Sequence, residues 1–392
     1  MTGSLSTRGA ILSNKKYLKE LMLDWDSQFD DSRNEIAEKD AIEMLRPHKN
    51  LKELTVKGYG GRGFPSWLGD PSFSKMVFLR LESCKKCIAL PMLGQLGSLK
   101  NLTIKEMAGL KSIGLEIYGG SSKPFKSLET LCIEDLQEWE CWDPTEENEQ
   151  IKRFPHLHKL SIVKCPKLSG KLPNHLPSLE KLVILDCVQL VVSLKSLPLL
   201  CKLEIDGCKE VECISSTVSK SLISIKLSNV SEAGNWLRQE FHKVDRLKII
   251  RCEKLINLWQ CEVCLGKPPQ GLHSFTFLRE LSIKNCNALT SLPDGMRSHN
   301  AHLESLRIDG CDSLTFVLRG QLPSSLKNLE IWYCKKLQCL LEDSEDSSSS
   351  SSSVIHMENI TDTSTCLLEY LYVDECPSIS QELGKRPFTC ST

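Results

Sequence analysis

One aliphatic frame recurs along this chain and limits what it can fold into. Positions 303–314 read LESLRIDGCDSL and positions 326–337 read LKNLEIWYCKKL, with leucine, isoleucine and cysteine at the same offsets. The frame is L-x-x-L-x-[ILV]-x-x-[CLVM]-x-x-[LIV]. It returns at Leu99, Leu102, Ile104, Met107 and Leu110, and at Leu157, Leu160, Ile162, Cys165 and Leu168. Copies at Leu179, Leu182, Ile184, Cys187 and Leu190, and at Leu278, Leu281, Ile283, Cys286 and Leu289, keep the same spacing. Others start at Leu128, Leu200, Leu222, Val244 and Leu368, and looser ones at Leu18, Leu51 and Met76. The total is about fourteen units, with most spacings inside the range of known solenoid repeats.

This pattern is that of leucine-rich repeats, in which the ninth position is Asn or Cys. The x-L-x-L-x core predicts a short strand, because alternation with period two sends the leucines to one face and the x residues to the other. A single such strand cannot bury its apolar face. Stacked copies can, in a parallel sheet over a continuous core. The expected fold class is therefore an α/β solenoid: a leucine-rich-repeat horseshoe of about fourteen repeats, with a concave parallel β-sheet and a convex side of irregular and short helical segments. Residues 1–14 read as a poorly capped lead and 15–341 as the repeats. Residues 342–362 read as an acidic, serine-rich disordered insertion, and 363–392 as the last repeat and tail. RNEIAEKDAIEMLRPHKN predicts a helix that stops before Pro47.

Composition narrows the function classes. The net charge of −1 over 392 residues argues against binding nucleic acid or a membrane surface by bulk charge. No run of about 18 apolar residues predicts a membrane span, and no leader-like apolar run follows Met1. The 19 cysteines, an odd number, then read as reduced thiols. Nine of them (84, 165, 187, 208, 252, 286, 311, 334 and 376) fill the ninth frame position, where Met107, Leu136 or Val230 stand in other copies. A metal or redox role would not tolerate those replacements. A buried packing role would, with the weak S–H donor turned to a carbonyl.

The remaining motifs fail on context. Gly58, Gly60 and Gly63 match G-x-G-x-x-G after a strand, but FPSWLGDP follows where a dinucleotide site needs a helix. Gly114 and Gly119 have the P-loop interval without its lysine. Cys84–Cys87 and Cys261–Cys264 lie far apart along a rigid repeat array, and Cys84 already fills a frame position, so a shared zinc ion is not expected. The nine histidines form no set of nucleophile, base and orienter. No enzyme activity, metal or cofactor is expected.

A more specific signal lies between Gly58 and Ile104. Phe64-Pro65-x-Trp67-Leu68, Ser72-Phe73, the Cys84–Cys87 pair and Leu90-Pro91-x-Leu93-Gly94-Gln95-Leu96 closely resemble the repeat region of plant nucleotide-binding leucine-rich-repeat disease-resistance proteins of the coiled-coil class. KKYLKELMLDWD and CPKLSGKLPNHLPSLEKL carry the resemblance over nearly the whole chain after about residue 10. It implies a cytoplasmic, and also nuclear, immune receptor module. Such a module recognises a pathogen effector or a modified host protein, and contributes to autoinhibition by contact with the nucleotide-binding module of the parent receptor. The P-loop module typical of that class is not in this sequence, so the resemblance implies a fragment or truncated product. An ADP/ATP switch would then belong to a longer parent protein. The alternative, a leucine-rich-repeat substrate receptor of a ubiquitin ligase, needs an F-box-like segment that residues 1–15 are too short to supply.

The outward positions of the strands are where a partner is expected, on the concave face. The middle repeats offer a basic stretch: Lys159, Lys181, Lys202, Lys226, Arg246 and Lys248. The later repeats offer Arg307, Asp309, Glu330, Trp332, Tyr370, Tyr372 and Asp374, where aromatic anchors beside charges suit a protein contact.

Overall fold

The computed structural model describes residues 12–25, 34–142, 153–170, 172–173, 175–194, 197–212, 220–230, 241, 243–258, 276–292, 302–319, 321–342 and 367–379. Two compact units divide the chain: Met1–Leu200 with Gly207–Lys209, and Cys201–Asp206 with Glu210–Thr392. The serine-rich run after Glu342, the Cys261–Cys264 pair and most of the N-terminal lead lie outside the described residues.

Among the described residues the first unit carries β1 (Glu20–Asp24), β2 (Glu53–Lys57), β3 (Phe78–Glu82), β4 (Asn101–Lys105), β5 (Ser112–Ile113), β6 (Thr130–Glu134), β7 (Cys141–Trp142), β8 (Lys159–Val163) and β9 (Lys181–Val192). The second carries β10 (Lys202–Val211, apart from Gly207–Lys209), β11 (Ser224–Ser228), β12 (Arg246–Ile250), β13 (Glu280–Lys284), β14 (Ser305–Asp309), β15 (Phe316–Arg319), β16 (Asn328–Trp332), β17 (Cys339–Glu342) and β18 (Tyr370–Asp374). The sheet order is β1-β2-β3-β4-β6-β8-β9 in the first unit and β10-β11-β12-β13-β14-β16-β18 in the second. The expected leucine-rich-repeat solenoid, with a parallel sheet and few helices, is therefore what each unit forms.

Register follows from the frame. Leu79 pairs with Leu102 and Leu81 with Ile104, and Leu306 pairs with Leu329 and Ile308 with Ile331. Each inward pair thus stacks on the next, and these side chains are buried. At about 1.5–3 kcal/mol for each fully buried aliphatic side chain, this continuous column is the main source of stability. A one-residue slip would turn a whole strand's aliphatic set outward, so the register is tightly held. At β1 the inward Leu21 and Leu23 are only half-buried, and β2 is the neighbour covering them among the described residues.

The strands end in a shared device that the frame does not reveal. The residue before the ninth position adopts left-handed backbone geometry, as at Ser83 (φ 55°), Lys164 (φ 55°), Arg251 (φ 51°) and Tyr333 (φ 54°), and at Gly58, Gly207 and Gly310. Its N–H adds one more rung to the ladder: Ser83 N donates to the Lys105 carbonyl at 2.9 Å, and Arg251 N to that of Lys284 at 2.8 Å. The chain then reverses inward through a tight turn, in which the frame leucine's N–H returns to the cysteine carbonyl. Leu314 to Cys311 (3.2 Å) and Leu168 to Cys165 (3.2 Å) are examples. At Gly58 a Cβ would overlap the Trp25 carbonyl oxygen, so that copy has no room for a side chain.

The cysteines fit this turn. All nine frame thiols are free and buried. Eight of them donate to the carbonyl two residues back, from Cys334 to Trp332 at 3.3 Å to Cys311 to Asp309 at 3.8 Å. Burial pushes the Cys311 thiol up to about 11.

The connections vary more than the strands. α1 (Glu35–Met44) starts at Asn34, whose Oδ1 accepts from the N–H groups of Ile36 (3.0 Å) and Ala37 (3.1 Å). Its Glu38 accepts from Gly60 N at 2.6 Å, and its Ile42 carbonyl accepts from Trp67 Nε1 at 3.0 Å. The glycine-rich stretch and the Phe64–Leu68 motif are therefore a loop pinned to this helix, with Trp67 buried against Phe73 at 5.9 Å between ring centroids. Two short lateral pairs, β5 with β7 and β15 with β17, tie neighbouring turns beyond the main sheet.

Two predictions follow from the turn. Lys164 is exposed and left-handed. Lys164→Gly should raise stability by about 0.5–1 kcal/mol, and Lys164→Val should lower it by about 1–3 kcal/mol, read from urea denaturation midpoints. Because the folded-state value of Cys311 lies above its ordinary 9.0, its burial stabilises the fold below pH 9 and that contribution is lost as pH rises towards 11. Cys311→Ala should cost about 1 kcal/mol at pH 7 and give a shallower alkaline loss of stability, followed by melting from pH 8 to 11.

Candidate partner-binding face

The face of each sheet turned away from the aliphatic column is built from positions one, three and five of every strand. In-register pairing lines these positions up as three rows. Every side chain in a row therefore has its chemical neighbours fixed by adjacent strands.

In the first unit the fifth-position row reads Asp24, Lys57, Glu82, Lys105 and Glu134, alternating in sign strand by strand. Lys57 Nζ lies 3.9 Å from Asp24 and Lys105 Nζ 3.4 Å from Glu134. The Glu134 carboxylate holds the Lys105 ammonium above the usual lysine range. Sequence reasoning missed this row, although its alternating signs are legible once the strands are aligned. The row continues into Val163 and Leu185, and beside it the outward Ser161 and Val183 are buried. Lys159 and Lys181 flank that apolar ground, paired in register at the first position.

In the second unit the basic residues do not act alike. Lys226 and Lys248 are in-register neighbours, yet Lys226 Nζ lies 2.8 Å from Glu204 Oε1. Arg246 Nε lies 3.3 Å from Asp245. Lys202 and Lys248, like Lys159 and Lys181, form no ion pair among the described residues. The expected basic stretch therefore keeps its uncompensated charge at four positions and loses it at Lys226 and Arg246. Exposed pairs of this kind are worth about 0–1 kcal/mol each, so they shape the charge pattern more than the stability.

Between these groups Arg251 reaches across β11 to Asp206 at 3.6 Å, and Asn229 also bonds Asp206. Ser228 sits in register between Asp206 and Ile250 and is fully buried. Its hydroxyl is the one buried side-chain oxygen or nitrogen among the described residues without a hydrogen-bond partner.

Further along, Arg307 Nε lies 3.2 Å from Glu330 and Lys284 Nζ 2.7 Å from Asp309. Trp332, Tyr370 and Tyr372 come together on β16 and β18. The Trp332 and Tyr372 centroids are 5.7 Å apart, and those of Tyr370 and Tyr372 are 6.4 Å apart. Asp374 is in register with Trp332. The later residues singled out from sequence thus form one continuous surface, of which Arg307, Asp309 and Glu330 are already matched to partners within the chain.

No group of three or more His, Cys, Asp or Glu among the described residues could hold a metal. No helix in them is long and apolar enough to cross a membrane. Cys84 and Cys87 are buried, and the Cys87 thiol donates to the Gly61 carbonyl at 3.1 Å. Gly114 and Gly119 bracket a single short turn, Leu115–Tyr118.

Comparison with known proteins adds the family. The model for plant disease resistance protein RPS2-like leucine-rich repeats matches residues 65–188 and 169–312, and that for R13L1/DRL21 leucine-rich repeats matches residues 3–107. The putative disease resistance RPP13-like protein 1 of Arabidopsis thaliana is 36% identical over 354 residues, covering 84% of this chain and 26% of that protein. A second putative disease resistance protein of Arabidopsis thaliana is 38% identical over 196 residues, covering 47% of this chain and 14% of its own length. The chain thus spans about a quarter or less of these relatives. A solved leucine-rich-repeat protein of Leptospira interrogans superposes with a TM-score of 0.43 at 18% identity over 95% of both chains.

The buried Ser228 hydroxyl makes a direct test of the row geometry. Ser228→Ala should raise stability by about 1 kcal/mol, because it removes a desolvated group that gains nothing in return. A lower melting temperature than the parent would contradict this.

Proposed function

The chain belongs to the plant disease resistance proteins, through their RPS2-like leucine-rich repeats, and from that premise we propose that it is the protein-recognition module of an intracellular immune receptor. Its target is a pathogen effector or a host protein modified by one. In the longer parent receptor the same repeats contribute to autoinhibition by docking on the nucleotide-binding module. Any ADP/ATP switching belongs to that module.

The observation that carries this reading is the contrast between the two faces of the sheet. The inward positions are nearly invariant aliphatics, whereas the outward rows differ from strand to strand in charge, size and polarity. A face with that variety suits recognition of one partner among many, and a rigid parallel ladder holds it without loop ordering on binding. The residues assigned to partner contact are Lys159, Lys181, Lys202 and Lys248, which keep their charge, and the aromatic and acidic group on β16 and β18. Lys226, Arg246, Arg307, Asp309 and Glu330 shape the same face while engaged with neighbours in the chain.

The test is binding of the purified chain to candidate effector and host proteins by surface plasmon resonance. The variant Lys202→Glu/Lys248→Glu should bind a basic-face partner of the second unit at least tenfold more weakly, with an unchanged melting temperature. Most of the change should fall in the association rate at low salt. A partner that binds the double variant as tightly as the parent would remove these lysines from the recognition surface.

A further inference from the structure

We propose that the aromatic and acidic residues of β16 and β18 form a seat for one basic side chain, preferably arginine, presented by the protein partner. The inference deepens the recognition reading above and rests on it for the nature of the partner.

Three observations converge. Tyr370 and Tyr372 lie nearly parallel, with 8° between their planes, and the Trp332 ring is inclined at 47° to that of Tyr372. The three rings make a stepped surface on two adjacent strands. Tyr370 is 49% exposed, Tyr372 38% and the neighbouring Tyr333 57%. Large rings left open side by side mark a surface that something covers.

Charge says what covers it. Residues 367–379 contain Glu369, Asp374 and Glu375 and no lysine or arginine. Asp374 accepts from the Tyr372 hydroxyl at 3.2 Å and from Glu375 N at 3.0 Å, and it forms no ion pair among the described residues. This sets it apart from Asp309 and Glu330, which Lys284 and Arg307 already neutralise. Of the lysines flanking β16, Lys327 lies 3.6 Å from Glu304 and Lys335 2.8 Å from Asp312, while the exposed Lys336 forms no ion pair with Asp374. The Asp374 carboxylate also raises the Tyr372 hydroxyl above its ordinary range, so its charge is felt at the rings.

Exposed π-faces beside a carboxylate without a counter-cation are complementary to a cation. The negative ring faces attract it and the carboxylate pairs with it. Arginine fits better than lysine, because a planar guanidinium stacks on a ring while its edge meets a carboxylate. A phosphate or an acidic side chain would be repelled by Asp374, and a purely apolar group would leave that carboxylate desolvated and unpaired.

The test uses defined peptides, and so is independent of whether any effector is found. Three twelve-residue peptides differ only at two central positions: Arg-Arg, norleucine-norleucine or Glu-Glu. They are titrated by calorimetry into the full chain and into Asp374→Asn, Tyr370→Ser and Lys49→Ala variants, the last at an exposed lysine remote in sequence from β16 and β18. The Arg-Arg peptide should bind the parent at least tenfold tighter than the other two. Its affinity should fall at least fivefold in Asp374→Asn and Tyr370→Ser and stay unchanged in Lys49→Ala, with all melting temperatures alike. Equal binding of the norleucine peptide would show an apolar patch only and overturn the proposal. So would unchanged Arg-Arg binding in Asp374→Asn, or no binding of any peptide at millimolar concentration. A partner protein that binds the parent chain while these peptides fail would leave the recognition reading standing and remove this seat alone.

Discussion

Everything in this chain depends on in-register stacking of one aliphatic pair per repeat. Leu79 on Leu102 and Ile308 on Ile331 are single rungs of a column that runs through each unit, and each repeat buries its pair only because a neighbour stands on either side. Stability in such an array is a sum of nearest-neighbour terms. Connections can therefore differ in length and content, provided each returns the chain to the same register. The helix α1 and the short lateral pairs are such connections, held by local hydrogen bonds and not by the column itself.

The same register that stacks the leucines also fixes the chemistry of the open face. An outward side chain has no choice of neighbour: Lys57 meets Asp24 and Glu82 because β1, β2 and β3 are aligned residue for residue. Charge in the first unit is consequently cancelled along one row. In the second unit cancellation is uneven. It covers Lys226, Arg307, Glu330 and Asp309, and leaves Lys248 and Asp374 without an ion pair among the described residues. Partner recognition is best served at the uncancelled places, since a charge already matched inside the protein offers less to a ligand. Membership of the plant disease resistance family fits a module built in this way, in which the core repeats and the open face does not.

The turn after each strand shows how a repeat tolerates local strain. Non-glycine residues such as Lys164 and Tyr333 sit in left-handed geometry at a cost of about 1–3 kcal/mol each. The extra ladder bond and the burial of the following cysteine outweigh that cost, and together they hold the reversal in place. The thiol is buried and its hydrogen bond to a carbonyl two residues back is weak, so an apolar side chain such as Met107, Leu136 or Val230 can fill the same buried position.

The sequence by itself determined the repeat, the parallel sheet, the inward and outward residues, and the packing role of Cys311 and its counterparts, because a period-two pattern repeated many times leaves one arrangement that buries every leucine. It also placed Trp332, Tyr370 and Tyr372 on one surface, since their strand positions are visible in the frame. It did not show the left-handed turn residue, because the bias to Gly, Asn and Asp at that position is diluted by Ser, Glu, Lys, Arg and Tyr in other copies. Nor did it show which lysines are free. Lys226 and Lys248 are alike in sequence, and only the tertiary structure, by setting Glu204 beside the first, decided that one forms an ion pair and the other forms none among the described residues.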